Sequence, residues 1–134
     1  MGKAAVSGAA AGTTAGYEGT FHGRAEEAGR VRREVAGYLD DCPVTADMVL
    51  IADELAANAV LHTQSRGGFF RVRCELSGSS ARIEVEDMGG PWRTRKHDDR
   101  PHGLDVVEAL TGAGGWGTQV TPDETRVVWA RLEW

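Results

Sequence analysis

DELAANAVLH, residues 53–62, closes a longer stretch, TADMVLIADELAANAVLH (45–62), and its spacing predicts a helix. Met48, Val49, Leu50, Ile51, Leu55, Ala56, Ala57, Ala59, Val60 and Leu61 fall nearly all round that helix, so it is expected to be buried. Thr45 suits the N-cap and Asp47 the first turn. Against this background Glu54, Asn58 and His62 stand at i, i+4 and i+8. Four residues advance a helix by about 400°, so successive members of this line lie only ~40° apart. Leaving a polar group buried without a partner costs roughly 1–3 kcal/mol. The polar line therefore either faces water or lines a polar cavity.

Upstream, Ala28, Val31, Val35 and Leu39 recur at spacings of three and four, which predicts an amphipathic helix over Arg24–Asp40 that stops before Pro43. A short edge strand is expected over Tyr17–Phe21. Downstream, Gln64–Gly68 reads as a turn. Phe69–Leu76 and Ala81–Asp87 both alternate apolar and charged residues, with Gly78-Ser79-Ser80 between them. That is an antiparallel hairpin with one covered face. Asp87 continues the inward set Ala81, Ile83, Val85 by parity. A carboxylate at a strand end is either a turn-former bonding nearby amides or the polar rim of an apolar pocket. The charged segment 88–101 is long for a connection in a small domain, and such loops are often functional. A helix over Gly103–Leu110 and strands over Trp116–Thr121 and Arg126–Leu132 complete the chain.

The 134 residues make one domain's worth of chain. Eighteen are glycine, about 13% against an average near 7%. Six of them fall before Arg24 and four between Gly112 and Gly117, so the excess is local. Residues 1–16 bury too little apolar surface to order themselves and read as a flexible tail, with the folded domain over 17–134. A net charge of −5 argues against non-specific binding to nucleic acid but leaves room for a small anionic ligand. Cys42 and Cys74 form no metal or redox motif, and free thiols in a cytoplasmic protein are expected. His97 and His102 match no zinc spacing with either cysteine. No run is long enough to span a bilayer, and the start of the chain is too weakly apolar for a secretory leader.

The chemistry of these positions is complementary. A carboxylate at the rim of an apolar pocket can accept an exocyclic amine such as that of adenine. Adjacent glycines let a flat ring approach the backbone. An amide oxygen such as that of Asn58 suits Mg²⁺, which takes few protein ligands when it also holds phosphates. A nearby Glu54 can serve as a general base in phosphoryl transfer. A helix starting at Gly103 aims free N–H groups outward, toward phosphates.

Taken in order, DELAANAVLH (53–62), VEDMGGP (85–91) and PHGLDVVEAL (101–110) resemble the N-box and the two glycine boxes of the GHKL ATPase/kinase superfamily. GGWGT and VVWARL resemble its last strands. Singly these motifs are weak; their order on helix, strand end and helix start is what makes them specific. Within the superfamily the likeness is to anti-sigma factor serine/threonine kinases, over roughly residues 20–134. The resemblance implies a Bergerat-type two-layer α/β sandwich, with helices on one face of a mixed, mostly antiparallel sheet. It implies ATP beneath a lid at about 91–102. It implies Asn58 as the Mg²⁺ ligand and Glu54 as the catalytic base. Asp87 would accept the adenine amine beside Gly89, and the amides of Gly103 and Leu104 would meet the phosphates. His62 is carried over as a partner at the helix end. The implied partners are an anti-anti-sigma (STAS-type) protein or a sigma factor, with a homodimer possible.

The chain departs from the pattern in two places. The second glycine box often reads G-x-G, and here Pro101 stands at its first position, removing a backbone donor. Arg95, Lys96 and Arg100 are candidate phosphate contacts that compensate, or else a solvated run with Asp98 and Asp99. The last strand often carries a threonine at the adenine pocket; Val127 is aligned there, with Thr125 two residues earlier. Three functions compete. One is an anti-sigma-type kinase. The second is an ATP-binding module that regulates by contact alone. The third is a histidine kinase catalytic domain detached from its dimerisation helices, disfavoured because the tail holds no helical hairpin.

Overall fold

A computed structural model describes residues 16–62, 68–89, 104–112 and 114–134. The elements run β1 (Gly16–His22), a 3-10 turn (Ala25–Glu27), α1 (Ala28–Tyr38), α2 (Thr45–His62), β2 (Phe69–Ser77), β3 (Ser80–Asp87), α3 (Leu104–Thr111), β4 (Trp116–Val120) and β5 (Arg126–Glu133). The strands form one sheet in the order β1-β2-β3-β5-β4. Its four described pairings are all antiparallel. The result is the expected two-layer α+β sandwich of Bergerat type, and β1 begins at Gly16, inside the stretch expected to be tail.

The alternation of β2 and β3 does what its period requires. Val72, Cys74, Ala81, Ile83 and Val85 turn inward and are buried with Val128 and Ala130 of β5. Their outward neighbours form a ladder of charges: Arg71 and Arg73 reach Glu18 and Glu86, and Arg82 reaches Glu84. Exposed ion pairs contribute only about 0–1 kcal/mol each. They keep this face wet and in register, while the apolar inner face supplies the stabilising burial.

The three helices cover the inner face side by side. α1 packs on α2 and β2, α2 on β3, and α3 on α2, β4 and β5. Met48, Ile51, Ala52, Leu55, Ala56 and Ala59 of α2 are buried in the core. Burial on all sides does not extend to the outer surface of α2, where Leu50 is 41% and Leu61 54% exposed. The reason is geometric: α2 is flanked by helices and floored by the sheet, and among the described residues no third layer covers its back.

Two side chains set the helix ends. Glu27 accepts from the His22 N–H at 3.0 Å and from Arg30 at 3.0 Å, fixing the corner between β1 and α1. Thr45 is not the N-cap. The Met48 N–H bonds the Val44 carbonyl, so Thr45 lies inside the first turn. Its hydroxyl lies within donating distance of the carbonyls of Leu39 (2.6 Å) and Cys42 (2.8 Å), which also accept from the Cys42 and Thr45 N–H groups, so it reinforces the turn where α1 ends.

Candidate functional site

The chain leaves α2 at His62 and enters β2 at Phe69. β2 pairs with β3 so that Arg71 faces Glu86. The C-terminal half of α2 and the C-terminal end of β3 therefore lie at one end of the sandwich. Asn58 comes from the first and Asp87 from the second.

Asp53 of α2 binds Arg32 of α1 at 2.8 Å. Asn58 is five residues on, about 500° or a net ~140° around the helix. It projects from the flank turned away from α1, the side on which α3 packs. Asn58 is only 3% exposed, and its Nδ2 is buried without a hydrogen-bond partner among the described residues. Native proteins pair nearly all such groups. The polar line thus does not simply face water: it runs from the half-buried Glu54 into the interior at Asn58. No bond or ion pair engages the Glu54 carboxylate among the described residues.

Asp87 is also 3% exposed. Its Oδ1 accepts the Gly89 N–H at 2.7 Å, so it does form the local turn that a strand-end Asp favours. The turn reading does not exclude the pocket reading, since one oxygen makes this bond and a carboxylate has two. Burial pushes the carboxyl up to about 6, against the Gly89 bond and the nearby Arg126, which pull it down, while Glu86 adds to the rise. Arg126 faces Asp87 directly across the β3–β5 ladder. No motif marks Arg126; the parity of the last strand is the signal in the sequence that points to it.

Gly89 has φ +80°, and a Cβ built there collides with the Glu124 carbonyl in the β4–β5 turn. Glycine is required here by chain packing. Leu104 opens α3 and buries its side chain in the core at 1% exposure, which leaves only its backbone for any ligand. Gly103, Arg100, Pro101 and the expected lid lie outside the described residues, as does the side chain of His62.

Val127 does not stand at the pocket. It pairs with Glu86, and opposed residues share a face, so it lies on the side of the sheet away from Asp87. Inward from Arg126 the next residue is Val128, opposite Val85. A strand's period of two is unforgiving: an alignment shifted by one residue changes the face.

The family profile described as histidine kinase-like ATPase domain matches residues 21–121. That span is well over half of the chain and carries all three motif regions. The chain belongs to this family, within the GHKL superfamily, and its domain is an ATP-binding one of regulatory type. A comparison with curated proteins finds no match. No helix among the described residues is long and apolar enough to cross a membrane.

Proposed function

We propose that this protein is a cytoplasmic serine/threonine kinase of the anti-sigma type. It uses ATP and Mg²⁺ to phosphorylate an anti-anti-sigma (STAS-type) antagonist, and in its other state it sequesters a sigma factor. The observation that carries the ATP site is the pair formed by Asn58 and Asp87: a buried amide whose Nδ2 has no partner among the described residues and a buried carboxylate at one end of the sandwich, within a GHKL-type domain. The unpaired atom of Asn58 is the Nδ2 donor, which is costly to bury unless an acceptor such as a phosphate oxygen completes it. The oxygen of the same amide would hold Mg²⁺, which when bound would supply charge neutralisation on the phosphates.

The chain's own residues have separable tasks. The Asn58 side chain holds the metal. The Asp87 carboxylate accepts the adenine amine. Glu54, at the more open end of the polar line, takes the proton from the attacking hydroxyl. The α3 start at Leu104 offers backbone N–H groups to the phosphates. The competing reading, an ATP-binding module acting by contact alone, draws on Pro101 in the second glycine box.

Calorimetric titration with Mg-ATP, followed by incubation with γ-labelled ATP and a STAS-type protein, separates the readings. We expect micromolar-class binding, on the order of −8 kcal/mol, lost in Asn58→Ala. Glu54→Ala should bind ATP and transfer nothing. Affinity unchanged in Asn58→Ala, or independent of Mg²⁺, overturns the site. Binding without transfer in the native protein supports the contact module.

A further inference from the structure

The β4–β5 turn meets the end of β3 at two points. On the outer face the Thr125 hydroxyl donates to Glu86 Oε2 at 2.7 Å. Arg73 holds the other oxygen of Glu86 at 2.5 Å. Thr121 and Thr125 share a hydroxyl–hydroxyl bond of 2.7 Å, and the Thr121 N–H bonds the Thr125 carbonyl at 2.8 Å, so the turn is closed on itself. The same turn presents the Glu124 carbonyl to Gly89, leaving no room for a Cβ. In sequence Asp87 lies between the Glu86 bond and the close approach at Gly89. Its preceding residue is anchored by Thr125, and the amide that holds its Oδ1 belongs to Gly89.

We propose that Thr125, through Glu86, and the Glu124 carbonyl, against Gly89, form a clamp that positions the Asp87 carboxylate and so sets specificity for the base of the nucleotide. Glu86 and Asp87 are adjacent on a strand, so their side chains point to opposite faces. Fixing Glu86 from outside fixes the peptide from which Asp87 points inward. Thr125 is on this account a positioning residue that touches no ligand. The inference rests on the reading of Asp87 as the acceptor of the adenine amine.

The test compares ATP with inosine triphosphate (ITP), which has the same phosphates but lacks the exocyclic amine. A site built to bond a polar group rejects the analogue that lacks it far more strongly than packing alone allows. We expect the native protein to prefer ATP by at least ~10-fold. In Thr125→Val the ATP affinity should fall ~3–10-fold, the size of one weakened hydrogen bond, with ITP affinity unchanged within about 2-fold. Thr125→Ser should restore the preference. Should Thr125→Val fail to fold, Glu86→Ala removes the other half of the bond and should show the same loss of preference. An ATP/ITP ratio unchanged in the variant that folds, or equal losses for both nucleotides, overturns the clamp. Asp87→Asn separates the two levels. If it keeps the native ratio, the reading of Asp87 itself fails; if it loses the ratio while the Thr125 and Glu86 variants keep it, only the clamp fails.

Discussion

Asp87 combines two demands that oppose each other. Its folded carboxyl is raised from 3.8 to about 6, chiefly because burial disfavours the ion. The folded state therefore binds this proton more tightly than the unfolded chain does. From this group, stability increases as pH falls from about 6 toward 3.8, and near neutrality the buried ion is a cost. A ligand amine offsets that cost only while the carboxyl is ionised. We expect Asp87→Asn to raise the melting temperature of the free protein at pH 7, or leave it unchanged, while weakening ATP roughly 10–100-fold, the size of a hydrogen bond to a charged group. ATP affinity in the native protein should also fall below pH 6, by up to ~10-fold per unit. ITP titrated in parallel corrects for protonation of the phosphates. Calorimetry at pH 5 to 8 checks both points; Asp87→Asn with native ATP affinity removes Asp87 from the site.

At the scale of elements, the corner between β1 and α1 depends on one carboxylate. Glu27 is held down to about 2 by its bond with Arg30 and then by the His22 amide. A depressed carboxyl contributes stability above its unfolded pKa of 4.5, lost as pH falls toward 2. Glu27→Gln should therefore melt below the native protein at pH 7, by the few degrees that about 1 kcal/mol gives a domain of this size. The gap should narrow between pH 4.5 and pH 2. Thermal melts across that range decide it, and a gap independent of pH leaves Glu27 without this role. The elements themselves were legible in the sequence because each has a clear period: the second helix appears over Thr45–His62 as its spacing predicts, and the hairpin strands alternate as read. What periodicity could not show is tertiary. Thr45 looks like a cap but serves the end of α1, since the local pattern does not reveal that Leu39 and Cys42 lie beside it. Gly89 reads as room for a ligand, yet the neighbour that demands a glycine is Glu124, thirty-five positions away in sequence. Val127 aligns by motif with a pocket position yet lies on the opposite face, because a motif alignment fixes residue type but not strand parity.

For the whole molecule, the layers separate stability from function. The inner face of the sheet is sealed beneath α1, α2 and α3, and Cys74 lies within that seal at 2% exposure. Burial pushes its thiol up to about 12, so in the native state it is both inaccessible and unionised. Cys42 is half-buried near the end of α1 and provides an internal control. Cys74 sits on β2 between Tyr17 of β1 and Ile83 of β3, so reaching it requires the sheet and helix layers to part. Its labelling by a thiol reagent then reports global opening. A ligand that binds only the folded state stabilises it by about 2.7 kcal/mol at 100 times its Kd. Mg-ATP at that concentration should slow Cys74 labelling ~100-fold and leave Cys42 nearly unaffected. In Asn58→Ala the same ATP concentration should give no protection, because that variant lacks the proposed metal ligand. Mass spectrometry of labelled protein against time measures both thiols at once. Protection of Cys74 that persists in Asn58→Ala places ATP elsewhere. Labelling of Cys74 as fast as Cys42, with or without ATP, shows that the layers part by local opening and that this end of the domain is less tightly closed than its core packing implies.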